Sequence, residues 1–138
     1  MAAATLKLEI VTPDAVVYSE DVNMVTLPAI EGQIGIYPLH IPLLTQIVPG
    51  EIIVLKDGHE SFLAVGEGVV EITSHRVAIV TDMAIPADHI DEAKVEEARQ
   101  RAAARLRDKI SDEEVPTVNA SLARSIAQLN VKRRRHHV

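Results

Sequence analysis

The hydrophobic period of this sequence changes once, at Pro86, and that change limits the possible folds more than any other feature. Upstream, Leu6, Leu8 and Ile10 alternate with Lys7 and Glu9, the period of two that belongs to a strand with one wet face. Val22, Met24 and Thr26 interleave with Asn23, Val25 and Leu27 in a more buried run. The segments 52–55 and 60–65 flank Lys56-Asp57-Gly58-His59. Asp-Gly at that place predicts a hairpin with a type I′ turn, whose two central residues need positive φ. A second hairpin is expected to join 69–73 to 77–81 through Ser74-His75. Short strands with turn signals every eight to twelve residues or so, and no helical period between them, predict an antiparallel sandwich or barrel.

Downstream of Pro86 the chain is rich in Ala, Glu and Arg. Asp88 or Asp91 can cap a helix here, and Asp91, Glu92, Glu96 and Glu97 load its positive N-terminal end with acid. The helix is expected to run to about Ile110, before Ser111-Asp112-Glu113-Glu114 breaks the period. Pro116 suits a first helical turn, and Val118, Leu122, Ile126 and Leu129 then predict one apolar stripe. Ala98, Ala102 and Leu106 answer it on the first helix, so the two form an antiparallel hairpin with close approach at the alanines. The expected organisation is a β domain over 1–86 and a C-terminal helical hairpin over 87–138.

Charge follows the same division. Residues 1–85 hold 11 acids and 3 bases, net −8, whereas 86–138 hold 9 acids and 11 bases, net +2, with five bases and no acid from Arg124 onward. Two modules with different partners are the simplest reading. With 47% hydrophobic and 25% charged residues the chain can bury a core, which excludes disordered and collagen-like classes. Tyr18, Tyr37 and Phe62 are its three aromatics, too few for a nucleic-acid stacking platform. The absence of cysteine removes disulfides, thiolate zinc sites and cysteine nucleophiles. The start MAAATLKLE contains no secretory apolar run, and the longest uncharged stretch, 32–50, carries three prolines and is no bilayer span.

Catalytic motifs fail in turn. The sequence has no phosphate loop, no G-x-S-x-G elbow and no H-E-x-x-H, and His40, His59, His75 and His89 lack metal-ligand spacing. Gly66-Glu67-Gly68 begins like a dinucleotide fingerprint but has Glu71 at the sixth position, so it reads as a bulge or a close backbone approach.

The most specific segment is Glu31-Gly32-Gln33-Ile34-Gly35-Ile36-Tyr37-Pro38-Leu39-His40-Ile41-Pro42-Leu43-Leu44-Thr45, a fixed exposed turn leading into an apolar strand. It resembles the G-E-L-G-I-x-P-G-H-x-P-L-L-T stretch of the epsilon subunit of F-type ATP synthases. Val11-Thr12-Pro13-Asp14, the 66–72 strand, Ile90-Asp91-Glu92-Ala93 and the 122–129 run Leu-Ala-Arg-Ser-Ile-Ala-Gln-Leu extend the resemblance over nearly the whole chain.

That resemblance implies a non-catalytic rotor subunit: a β-sandwich of about ten short antiparallel strands followed by an α-helical hairpin that either folds down or extends. It implies that Glu31, Gly32, Gly35, Tyr37, Pro38, His40 and Pro42 face the gamma subunit and the membrane rotor ring of c subunits. It further implies that the extended hairpin inhibits ATP hydrolysis at the catalytic alpha/beta subunits through Arg124, Lys132, Arg133, Arg134 and Arg135. No cofactor is required, but a weakly bound regulatory ATP is implied at Ile90, Asp91, Lys94, Arg101 and Arg124. The family's arginine is Lys94 here and its last arginine is Gln128; a solvated face with pairs such as Glu97 to Arg101 is the alternative. Leu39 stands where the family usually has glycine, so a positive φ there would be strained. The place implied is the cytoplasmic side of a bacterial plasma membrane, peripheral to it. The rival class is a free-standing β-sandwich ligand-binding module whose helices dimerise.

Overall fold

A computed structural model of the chain describes residues 4–108 and 110–136, the side chains of 135 and 136 excepted. Ten strands come first: β1 (Leu6–Val11), β2 (Val16–Val22), β3 (Met24–Ala29), β4 (Gly32–Ile36), β5 (Leu43–Ile47), β6 (Gly50–Lys56), β7 (His59–Val65), β8 (Gly68–Ile72), β9 (Arg76–Thr81) and β10 (Ala84–Pro86). A 3-10 turn (Ala87–His89), α1 (Glu92–Arg107) and α2 (Val115–His136) follow. The strands hydrogen-bond in the order β10-β7-β6-β3-β5-β8-β9-β1-β2, with β4 on the free side of β3. The β3 to β5 link is a single pair, Ala29 with Ile47, and there the sheet folds over into a barrel-like sandwich.

The alternation read from the sequence sets which face is inside. In β1, Leu6, Leu8 and Ile10 are buried while Lys7 is exposed and Glu9 half-exposed. They meet Val25, Leu27, Ile52, Leu63, Ile72 and Ile79 in one core. Each such side chain contributes roughly 1.5–3 kcal/mol by leaving water. The aliphatic core matches a sequence with almost no aromatics.

Both expected hairpins form. Asp57 and Gly58 have φ of 52° and 79°, and Lys56 pairs with His59 across them, as a two-residue primed turn requires. The side-chain Oδ1 of Asn23 accepts from Asp57 N–H (2.8 Å) and holds the turn from outside. The β8–β9 hairpin closes with Thr73 N–H donating to Arg76 C=O (2.8 Å).

Three expectations need correction. The sheet is not wholly antiparallel, because β1 and β9 run parallel in the register Leu8 with Val77 and Ile10 with Ile79. Parallel neighbours cannot share a tight turn, so no local signal announces them. Second, α1 stops at Arg107 rather than near Ile110. Ser111 claims the following chain for the next helix: its Oγ and its carbonyl both accept from Glu114 N–H, at 3.3 and 3.0 Å. Third, Ile126 leaves the expected stripe and is 41% exposed. Among its described residues α2 buries Ser125, Ala127, Leu129 and Val131, because it packs against α1 on one side and β6 and β7 on another. A helix with two neighbours buries a wider arc than one stripe.

The glycines of 66–68 are a close approach, as expected. A Cβ on Gly68 would lie 2.1 Å from the Val80 carbonyl oxygen, whereas one on Gly58 would meet open space. Gly58→Ala should therefore destabilise by about 1–2 kcal/mol through its dihedral alone. Gly68→Ala should cost about 3 kcal/mol, because backbone must move. Urea denaturation of both variants checks the ranking, and equal losses would mean that β8 and β9 adjust freely at that point.

Candidate functional site

The chemistry-bearing residues fall in three places. The first is the turn that joins β4 to β5. Gly32 has a φ of 127° and opens β4, whereas Gly35 lies close under the Met24 side chain, where a Cβ would approach the methyl carbon to 2.8 Å. Leu39 does adopt the left-handed conformation, with φ 69°, and its N–H donates to Ser74 C=O (2.7 Å). That bond ties the turn to the β8–β9 hairpin and holds a leucine where strain of about 1–2 kcal/mol is expected. The side chain gains no burial in return: Leu39 is 72% exposed and Ile41 79%. Tyr37 and Leu44 are exposed beside them, and a ring nitrogen of His40 hydrogen-bonds to the Ile41 carbonyl. An apolar ridge of this kind, held in a strained shape, marks an interaction surface.

Glu31, Gly32, Gly35, Tyr37, Pro38, His40 and Pro42 all lie on this segment, and Glu31, Tyr37 and Pro42 are exposed. Ile41 and Leu44 were missed as surface residues. The signal available for Ile41 was its position in a turn too short to fold it inward, whereas Leu44 lies in β5 with its side chain exposed.

The second place is the start of the hairpin. Asp91 caps α1 by accepting from Lys94 N–H (3.2 Å), which settles the choice between Asp88 and Asp91. Ile90 is buried and clusters with Ala64 of β7 and Val131 of α2, so it joins sandwich to hairpin. Lys94 and Arg101 are exposed on α1, and Arg101 pairs with Glu97 (3.5 Å). Arg124 turns to the sandwich and pairs with Asp82 (3.2 Å). The residues implied for ATP are therefore divided among a cap, a helix-face pair and a contact with the sandwich.

The third place is the basic end of α2. Lys132 Nζ donates to the Ala87 carbonyl (3.3 Å), Arg133 bonds to Glu92 (2.7 Å) and Glu96 (3.0 Å), and Arg134 reaches Glu51 of β6 (3.3 Å). Glu51 is buried to 8% exposure beneath α2. The side chain of Arg135 lies outside the described residues. Glu96 collects the most donors: Arg99, Arg133 and the Gln100 amide all bond to it. They hold its carboxyl down to about 2 from the usual 4.5, with Arg99 the largest cause.

An open groove of about 570 Å³ runs between α2 and the sandwich, lined by residues including Pro28, Gln33, Pro49, Ile126 and Asn130. Among the described residues no group of three His, Cys, Asp or Glu side chains is placed to hold a metal ion. No helix among them is long and apolar enough to cross a membrane.

A sandwich with an exposed apolar turn and a docked helical hairpin defines a class of stalk-type subunit, and comparison with known proteins agrees. Residues 5–87 match the family model described as ATP synthase, Delta/Epsilon chain, beta-sandwich domain, and residues 88–133 match its long alpha-helix domain. The chain is 41% identical over 132 residues to the ATP synthase epsilon chain of Herpetosiphon aurantiacus, covering 96% of this chain and 97% of that one. It is 39% identical to that of Alkalilimnicola ehrlichii, covering 95% and 94%. In fold it resembles a chain of the Euglena gracilis mitochondrial ATP synthase, with TM-score 0.77 and 22% identity over 92% of this chain and 80% of that one. It also resembles a chain of the Tetrahymena thermophila mitochondrial ATP synthase central stalk and c-ring structure, with TM-score 0.63 and 12% identity over 96% and 99%. The chain belongs to the ATP synthase epsilon-chain family, and it is a subunit of that complex.

Protonation of Glu96 tests the basic cluster. A carboxyl whose folded pKa is depressed contributes stability that is present above its unfolded value and lost as pH falls through its folded value. The attachment of α2 to α1 at Glu96 should therefore weaken between about pH 4.5 and about pH 2. Carboxyl-detected NMR should place the midpoint near the lower figure. Arg99→Ala should raise it more than Arg133→Ala does; the reverse order would mean that the link between helices is the stronger contact.

Proposed function

We propose that the chain acts as a non-catalytic coupling and regulatory subunit of the ATP synthase rotor. The observation that carries this reading is the division of labour between modules. The sandwich offers a strained apolar turn that none of the described residues covers, while the hairpin is attached to the sandwich through a small apolar seam around Ala64, Ile90 and Val131 and through ion pairs. The turn from Glu31 to Pro42, extended by Leu39, Ile41 and Leu44, takes the contacts with the gamma subunit and the ring of c subunits. The hairpin, when it leaves the sandwich, carries Arg124 and the 132–135 basic run toward the catalytic alpha and beta subunits and restrains ATP hydrolysis. The site of action is the cytoplasmic face of a bacterial plasma membrane, reached through the complex.

On this reading the sandwich, residues 1–86, is the assembly domain and 87–138 the regulatory one. Nucleotide binds weakly, since ATP would have to break Arg101 from Glu97 and Arg124 from Asp82 and would meet Lys94 in place of a guanidinium fork. Titration calorimetry on the isolated chain should give weak ATP binding that Lys94→Arg strengthens. Tight binding by the unmodified chain would place the nucleotide elsewhere.

Assembly gives the second test. Replacing Leu39 and Ile41 together by Asp should weaken binding to gamma and the ring about 30-fold, the ~2 kcal/mol of an interface hot spot. The thermal transition of the isolated chain should barely change, since both side chains are exposed. Undiminished assembly would move the interface to another face of the sandwich.

A further inference from the structure

The groove of about 570 Å³ beside α2 has the volume of a small-molecule site, and its lining combines apolar walls with a few polar groups, as such sites do. Pro28 and Pro49 line it from the sandwich and Ile126 from α2. Ile126 belongs by sequence to the apolar stripe of α2, yet it is 41% exposed, and the space it borders is this groove. The side chains of Gln33 and Asn130 line it from β4 and from α2, and their amides bond to no other described residue. Glu51 of β6 lines it too, only 8% exposed and 3.3 Å from the Arg134 guanidinium.

A carboxylate buried this far requires a cation beside it. The two members of the pair are unequally anchored. Glu51 is fixed by its strand, where it pairs with Ala64 of β7, whereas the Arg134 side chain is 59% exposed and stands on a long stem in the last turn of α2. The guanidinium can turn to water at small cost and the carboxylate cannot, so the permanent charge of the groove is negative. The net −8 of residues 1–85 has the same sign. Lys132 and Arg133 are engaged elsewhere, at the Ala87 carbonyl and at Glu92 and Glu96, which leaves Arg134 as the one described base lining the groove.

We propose that the groove is a binding site for a small organic cation, an alkyl- or arylammonium whose charged end takes the place of Arg134 at Glu51 while its apolar body covers Ile126 and the two prolines. The exchange conserves charge: Glu51 keeps a cation, and the guanidinium returns to water. The amides of Gln33 and Asn130 flank the body and accept or donate to polar substituents on it. The groove is far roomier than a single lysine stem requires, which favours a free amine with a bulky body of its own.

Three probes that share one ring separate the chemistry: phenethylamine, phenethyl alcohol and hydrocinnamate present an ammonium, a hydroxyl and a carboxylate. Titrated at neutral pH into the full nitrogen-labelled chain, the amine should move the side-chain amide signals of Gln33 and Asn130 saturably in NMR spectra. The alcohol and the acid should bind at least about tenfold more weakly, and Glu51→Gln should weaken the amine by about the same factor. Arg134→Ala removes the competitor and keeps the carboxylate, so it should strengthen amine binding about threefold or more. That gain is read even if Glu51→Gln disturbs the fold, which the thermal transition of each variant reports. Equal binding of amine and alcohol would reduce the site to an apolar groove. Tighter binding of the acid, or loss of amine affinity in Arg134→Ala, would make Arg134 the anchor. Shifts spread over the exposed acids and unmoved by Glu51→Gln would mean an adventitious cation only. Each of these overturns the cation site, as does the absence of any saturable shift.

Discussion

Everything in the C-terminal half depends on how α2 lies across β6 and β7. Val131 meets Ala64 and Ile90 there, flanked by Phe62, Met83, Ile85, Ala87 and Val95. It is a seam of small and medium side chains, far more modest than the sandwich core, where Leu8, Ile10, Leu27 and Ile52 lose all contact with water. The two modules are therefore unequal in stability. The sandwich has a closed core of its own, whereas the hairpin supplements a thin seam with ion pairs, and low-stability elements are the ones that move.

The sandwich presents two different outer faces. One, formed by β7 and β6, is covered by the hairpin; the edge of the other carries the turn with Leu39 and Ile41. The hydrogen bond from Leu39 N–H to the Ser74 carbonyl fixes that turn against the β8–β9 hairpin. A glycine at position 39 would relax the backbone but remove an exposed apolar side chain. The leucine is best understood as a surface residue kept at the expense of local strain.

Much of the fold is legible in the residues. Alternation in β1, the Asp57-Gly58 turn, the period change at Pro86 and the cap at Asp91 each rest on local chemistry, and each appears where that chemistry puts it. What could not be read is what depends on distant partners. The parallel pairing of β1 with β9 has no local mark, and the exposure of Ile126 follows from the second neighbour of α2. The site divides in the same way. The 31–42 turn declares itself by paired glycines and prolines, but the nearest acidic partners of Arg124, Arg133 and Arg134 lie 42, 37 and 83 residues away along the chain and cannot be inferred from spacing along a helix.

The central claim is that one chain alternates between an attached and a released hairpin while the sandwich stays on the rotor. Cysteines in place of Ala64 and Val131, joined by a reversible crosslink, would lock the seam in a chain that otherwise has none. ATP hydrolysis by the reconstituted complex, measured before and after reduction of that crosslink, tests the claim most directly. The account predicts full assembly and uninhibited hydrolysis while the crosslink holds, with inhibition returning on reduction. Equal inhibition by the locked and unlocked chains would contradict it, because the hairpin would then restrain hydrolysis without leaving the sandwich.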